Sequence, residues 1–105
     1  MTDALVIFCT CSTGEEAERI ANDLVASRLA ACVNILPAIQ SIYRWRGEME
    51  RANEILLVIK TTQDSFVRVR DRIGQLHTYE VPEIIAIPVA GGSDAYLAWL
   101  RAQLT

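Results

Sequence analysis

The sequence has a single histidine, His77, among its 105 residues, so a metal cage built from several histidines of one chain is excluded. No apolar run approaches the roughly 18 residues that a membrane-spanning helix needs. An excess of basic side chains is also lacking. Ten basic and 13 acidic residues give a net charge of −3, which argues against a nucleic-acid-binding surface. We therefore expect neither a membrane nor a nucleic acid as partner.

Recognisable catalytic motifs are absent as well. The sequence contains no Gly-x-Ser-x-Gly, no P-loop and no Gly-x-Gly-x-x-Gly, and no complete catalytic set appears. The segment after Met1 has no positively charged n-region, so we expect no secretory signal. We accordingly expect a cytoplasmic protein that is not an enzyme.

Cysteine is present in an odd number, which agrees with a reducing compartment because three thiols cannot all pair within one chain. Cys9 and Cys11 flank Thr10, and residues two apart on a strand share a face. They are interpreted either as two small apolar side chains or as a metal-binding or redox pair. The third, Cys32, lies in another segment.

Apolar residues make up 51% of the chain and the mean hydropathy is +0.21, values that are high for a small soluble monomer. The length predicts a single domain, residues 1–105. The surplus of apolar surface therefore needs a ligand or another subunit to cover it.

Hydrophobic periodicity and turn signals predict four strands and three helices. We expect strands over 4–9, 31–46 with a bend or bulge at Pro37, 49–60 and 84–89. We expect helices from a cap at Ser12 or Thr13 to about residue 28, from a cap at Thr61 and Thr62 to residue 76, and over 96–104. A tight turn at Gly47 and a loop over 77–83 complete the chain.

This β-α-β-β-α-β order is that of the ferredoxin-like α+β fold, with a C-terminal helix added. Right-handed crossovers place both main helices on one face of an antiparallel sheet. Because strands one, three and four carry large apolar residues on both faces, one apolar face stays uncovered. The hairpin formed by strands two and three, ~45 Å long if unbroken, is expected to project beyond the domain core. Both features predict a homo-oligomer with ring symmetry.

Five segments resemble the CutA divalent-cation-tolerance family: residues 29–35 with Pro37, 41–48, 59–61, 77–85 and 96–100. The resemblance runs in order across nearly the whole chain. It implies a ferredoxin-like fold, a cytoplasmic homotrimer and an association with tolerance of copper and other divalent metals. One departure concerns His77-Thr78-Tyr79, where the family usually has His-Pro-Tyr. Another is Leu76, where some members carry a second histidine, so this chain lacks the histidine pair of those members.

The resemblance also suggests Cys9 as a metal-binding thiol, and we predict a metal site formed by Cys9, His77 and Glu83. Thiolate and imidazole suit copper or zinc, and we expect copper or another divalent cation to bind weakly, with no obligatory cofactor. His77 is alternatively a cap that stabilises the end of its helix. The four soft ligands of one chain do not obviously converge, so neighbouring subunits of a trimer are expected to supply missing ligands.

A second set of residues, Trp45, Lys60, Tyr79 and Glu83, is predicted to line a pocket between subunits. Lys60 and Glu83 lie at opposite ends of one subunit in this fold, so they meet only across an interface. The alternative is a structural ion pair or a solvated charge at the rim. Tyr43, Trp45 and Trp99 are predicted to be oligomer contacts.

Two functions are compatible with these residues. The first is a homotrimeric, non-catalytic protein that binds copper or another divalent metal and takes part in metal tolerance. The alternative is a regulatory or interaction module similar to the trimeric PII-type signalling proteins, which bind small effectors in the clefts between subunits.

Overall fold

The computed structural model describes residues 2–105, which form four strands and three α-helices. The strands are β1 (Ala4–Cys11), β2 (Cys32–Trp45), β3 (Glu48–Thr62) and β4 (Ile85–Pro88), and the helices are α1 (Gly14–Ala26), α2 (Phe66–Leu76) and α3 (Asp94–Ala102). A 3₁₀ turn, Gln63–Ser65, leads into α2. No helix in residues 2–105 is both long enough and apolar enough to cross a membrane.

The four strands form one antiparallel sheet in the order β2-β3-β1-β4. This confirms the ferredoxin-like order predicted from the sequence, with β1 and β3 central and the short β4 at an edge. Pro88 ends that edge strand, where a residue without an N–H group is tolerated.

Several predicted boundaries were wrong. β1 continues to Cys11, β4 begins one residue later than expected, α1 ends at Ala26, and α3 spans Asp94–Ala102. Thr61 and Thr62 do not cap α2, because both belong to β3. The Thr61 hydroxyl instead donates to the Leu29 carbonyl at 2.7 Å, which ties β3 to the segment after α1.

One sheet face packs against α1 and α2. Odd-numbered residues of β1 point to this side, and Ile7 is fully buried there with Leu57 and Ile59 of β3. The helices contribute Ile20 and Ile73 to the same cluster. Burying each such side chain contributes about 1.5–3 kcal/mol to folding, so this layer fixes where the ends of β1 and α2 meet.

The opposite sheet face is covered only at one end, where Leu100 of α3 packs against Ala4 and Ala31. We call the rest of this face the open face. Ile85 and Ile87 of β4 lie there, 53% and 44% exposed, and Leu36 of β2 is 41% exposed. Ladder partners share a face, so Phe8 and Val6 of β1 lie beside the two isoleucines. The uncovered apolar face expected from the sequence is therefore present.

The β2–β3 hairpin accounts for the longest dimension of the chain, 44 Å against 26 and 23 Å in the other directions. Its turn places Arg46 and Gly47 at φ of 50° and 83°, the left-handed pair that a tight two-residue hairpin needs. The hairpin turn also contacts the loop over 77–83 of the same chain, because Arg46 Nη2 lies 2.9 Å from Glu80 Oε1.

A bulge in β2 decides which side of the sheet the hairpin's aromatic residues face. Leu36 pairs with Leu56, but Ile39 pairs with Glu54, so Pro37 and Ala38 together oppose a single residue of β3. The predicted bulge is thus confirmed, and Ala38 adopts a φ of 63° within it. One extra residue switches the alternation. Beyond the bulge, the odd-numbered residues of β2 therefore lie on the open face. They include Tyr43 and Trp45.

Candidate functional site

Three soft donor atoms meet where β1 ends. The Sγ atoms of Cys9 and Cys11 and a ring nitrogen of His77 all lie within 4.8 Å of one another. The two cysteines share the helix-facing side of β1, and both are fully buried. His77 arrives from the end of α2, and its side chain is also inaccessible to solvent. We call these three residues the soft-ligand cluster.

His77 is held by its backbone and by both ring nitrogens. Its N–H donates to the Ile73 carbonyl at 2.8 Å, so it caps α2 as one interpretation of the sequence expected. Nε2 lies 2.8 Å from the Thr10 carbonyl, while the Tyr79 N–H donates to Nδ1 at 3.0 Å. Since a carbonyl only accepts, these partners assign the proton to Nε2 and a neutral ring. A metal ion must therefore displace one of these two hydrogen bonds.

Glu16 places a buried carboxylate against the cluster. It is 3% exposed, and its Oε2 lies 3.7 Å from His77 Nδ1 and accepts from the Thr78 N–H at 2.8 Å. Its other oxygen lies 3.4 Å from the Ser12 N–H. Burial acts to raise the pKa of Glu16, but hydrogen bonds, first from Thr78 and then from the Ser12 N–H, lower it overall. The cluster thus has a fixed negative charge beside it.

Thr78, which stands where His-Pro-Tyr has its proline, makes a hydrogen bond that a proline could not make. A proline has no N–H group, whereas Thr78 uses its own to bind Glu16. This bond connects the loop over 77–83 to the first turn of α1. The departure therefore adds a tie between the two segments that hold the cluster.

The two thiols differ in acidity. The pKa of Cys9 is raised, first by its side-chain interaction with Cys11, then by burial and by the charges of Cys11, Glu83 and Glu16. The same interaction lowers the pKa of Cys11, against the effect of burial. Cys11 is consequently the thiol that ionises first, while the Cys9 S–H is directed to the Thr10 carbonyl, 3.9 Å from its Sγ.

The cluster differs from the predicted metal set. Cys9 and His77 come together, but the third neighbour is Cys11, and Glu83 is an exposed residue outside the cluster. The expectation that the soft ligands of one chain would not converge was wrong for three of the four. Only Cys32 stays apart, at the start of β2 opposite Lys60. The shared face of residues 9 and 11 was the available signal for Cys11.

A groove of about 780 Å³ lies on the open side of the sheet, between the hairpin and the loop over 77–83. It brings together three of the four residues predicted for a pocket, namely Trp45, Tyr79 and Glu83. Lys60 does not line it. That side chain lies near the opposite end of β3, where its Nζ donates to the Asn34 side-chain oxygen.

The charged residues that line the groove are mostly acidic. Glu54 is 7% exposed and accepts from the Tyr79 hydroxyl at 2.5 Å. Burial and this bond together raise the pKa of Tyr79, which keeps the phenol neutral. Arg46 is bound to Glu80, and Glu83 has no ion-pair partner among residues 2–105. The groove therefore has a net negative charge and aromatic walls.

Comparison with known proteins shows the relationships of the whole chain. The family model of the CutA1 divalent ion tolerance protein matches residues 5–103. This chain belongs to that family. A divalent-cation tolerance protein CutA of Thermus thermophilus is 50% identical over 91% of this chain and 93% of its own length. A chloroplastic CutA of Arabidopsis thaliana is 43% identical over 93% of this chain and 54% of its own length.

A solved structure agrees with the fold as well. The divalent cation tolerance protein from Thermus thermophilus superimposes with a TM-score of 0.95 at 47% identity, covering 97% of this chain and 99% of the other. The resemblance to the CutA family inferred from the five sequence segments is thereby confirmed. This CutA1 family member carries the soft-ligand cluster on its helix-facing side and the acidic groove on its open face.

Proposed function

We propose that this chain is a non-catalytic, homotrimeric protein that takes part in metal tolerance by binding copper, or another soft or borderline divalent ion, at Cys9, Cys11 and His77. The observation that carries the proposal is the approach of two thiols and one imidazole to within 4.8 Å in a buried position. Thiolate and imidazole ligands are those that copper and zinc prefer. A cytoplasmic location goes with the free thiols, although one relative is named chloroplastic.

The surroundings of the cluster favour weak and reversible binding. Both nitrogens of His77 are engaged, and the Cys9 thiol has a raised pKa. An entering ion has to replace a proton or a hydrogen bond at each of these groups, which reduces its net affinity. The Glu16 carboxylate offsets part of this cost because it balances the positive charge of the ion.

The open face supports the homotrimer. Ile85, Ile87 and Leu36 together expose an apolar surface that a monomer seldom leaves in water. The hairpin adds Tyr43 and Trp45, and α3 adds Trp99, each 40–45% exposed. These three aromatic residues remain our proposed oligomer contacts.

The metal proposal predicts that removing one cluster ligand weakens binding at least about 100-fold, since changes in the residues around a metal's ligands alone cost 10–100-fold. Anaerobic competition titrations with Cu(I) and with Zn(II) measure this in Cys11→Ala and His77→Ala. Cys32→Ala is the matched control, because it removes the one cysteine outside the cluster. Equal affinity in all three variants and the parent would refute the site.

The groove favours a second candidate function, the effector-binding module. The ligand class that fits the groove is a cation and not an anion. The carboxylates of the groove and the rings of Tyr43 and Trp45 suit a small ammonium or guanidinium compound rather than an anion. We expect arginine methyl ester to raise the melting temperature of the parent but not of Glu83→Gln, with Glu48→Gln at the hairpin turn as the control. A shift caused by a nucleotide and lost in Lys60→Ala would instead indicate an anion site completed by a neighbour's lysine.

A further inference from the structure

The pair formed by Cys9 and Cys11 is suited to a reaction that metal binding alone does not require. Both thiols are buried on the same side of β1, and their Sγ atoms belong to one 4.8 Å cluster. The opposite changes in their pKa values, which each thiol causes in the other, agree with this proximity. No third thiol is close, since Cys32 stands on another strand.

The backbone between the two thiols allows them to approach further. Residues two apart on a strand are separated by about 6.6–6.8 Å, the upper end of the Cα separations that a disulfide spans. At this point β1 is paired on one side only. Its ladder with β3 runs to Cys11, but its ladder with β4 stops at Phe8. The last three residues of β1 thus have no strand paired to one edge, where bending breaks no second ladder, although the Thr10 carbonyl accepts from His77 Nε2.

We propose that the Cys9–Cys11 dithiol reduces Cu(II), and that the two thiols become an intrachain disulfide as they do so. Two Cu(II) ions each take up one electron and become Cu(I). The two S–H bonds break, one S–S bond forms, and two protons leave to solvent. The inference rests on the proposed function only in taking copper as the ion that reaches the cluster.

The disulfide has a consequence for the ion. Once both sulfurs are joined, His77 is the only cluster residue left with a strong donor atom, so the Cu(I) that has formed is released to other ligands. A disulfide across two residues of a strand is strained, and strained disulfides are easily reduced. A low-molecular-weight thiol therefore restores the dithiol, with two molecules of that thiol ending as its own disulfide.

The test adds Cu(II) to the fully reduced protein without oxygen and follows the electron paramagnetic resonance signal of Cu(II). We expect the parent to remove the signal of two equivalents per chain, and its mass to fall by about 2 Da as two hydrogens are lost. Peptide mapping is expected to find Cys9 joined to Cys11. Cys32→Ala should behave like the parent, while Cys11→Ala should remove less than half as much signal.

Other results separate this inference from the proposed function. If the parent binds Cu(I) or Zn(II) but leaves the Cu(II) signal and its own mass unchanged, the inference is wrong and the binding site stands. If the disulfide forms and the signal disappears, yet neither Cu(I) nor Zn(II) is retained by the reduced protein, the metal-binding proposal fails alone. A disulfide that includes Cys32, or one between chains, also overturns the inference. Treating the parent with diamide before Cu(II) checks the result without any substitution, because the preformed disulfide should abolish the reduction.

Discussion

Replacing Ile87 with aspartate is expected to dissociate the proposed trimer into monomers. Ile87 is 44% exposed in one chain and lies on the open face opposite Val6, so a single folded chain has room and water for the carboxylate. In an assembly that covers this face, the same carboxylate would be buried without a partner, at a cost of several kcal/mol per subunit. That corresponds to a loss of association on the order of 10³-fold or more.

Light scattering coupled to size-exclusion chromatography measures the outcome directly. The parent should have three times the 11.7 kDa of one chain, and the variant the mass of one. Val67→Asp is a suitable control because Val67 is also an exposed apolar residue, 52% accessible, but lies on α2 away from the open face. A monomeric parent, or a variant that keeps the parental mass, would contradict the assembly.

Replacing Glu16 with alanine is expected to destabilise the fold by about 2–4 kcal/mol, since each hydrogen bond to a charged group contributes about 1.5–3 kcal/mol. The Thr78 N–H loses its acceptor at 2.8 Å and the Ser12 N–H its acceptor at 3.4 Å. The cap of α1 remains, because Thr13 accepts from the backbone of residue 16 and not from its side chain. The loss of stability therefore measures how much the Glu16 side chain contributes by connecting α1 to the loop over 77–83.

Glu15→Ala provides the comparison for this variant. Glu15 is an exposed acidic residue in the same first turn, so its removal takes away a similar favourable interaction with the helix dipole. We expect Glu15→Ala to change the melting temperature little and Glu16→Ala to lower it by more than about 8 °C at equal protein concentration. Indistinguishable melting curves would show that Glu16 acts only as a helix-end charge.

Local pattern was sufficient to predict the architecture. Alternating and continuous apolar runs marked the strands, Gly47 marked the hairpin turn, and Pro37 marked the bulge. The apolar residues on both faces of β1, β3 and β4 predicted an open face, which is present in the structure. Each of these features depends on residues close together in the chain.

Features that depend on distant segments were not predicted. Nothing near Glu16 in sequence indicates Thr78 as its hydrogen-bond partner. Cys11 was recognised as a thiol on the face of Cys9, but its approach to His77 depends on where α2 ends relative to β1. Thr61 was predicted to cap a helix from its neighbours in sequence. In the structure β3 extends through it, and its hydroxyl binds a distant carbonyl instead.

The relative positions of Lys60 and Glu83 within one subunit could be predicted from the topology alone. The direction of β3 and β4 relative to β1 indicated that the two charges lie at opposite ends of one subunit, and the structure places them so. Whether a neighbouring chain brings a lysine to the groove depends on the assembly, which is the subject of the Ile87 experiment.

X-ray absorption spectroscopy of the copper-loaded, reduced protein identifies the atoms that bind the metal. We expect a first coordination shell with sulfur and nitrogen, from Cys9, Cys11 and His77, in the parent and in Cys32→Ala alike. We expect fewer sulfur neighbours in Cys11→Ala. A first shell made only of oxygen and nitrogen, or one whose sulfur content falls in Cys32→Ala and not in Cys11→Ala, would contradict the proposed metal site.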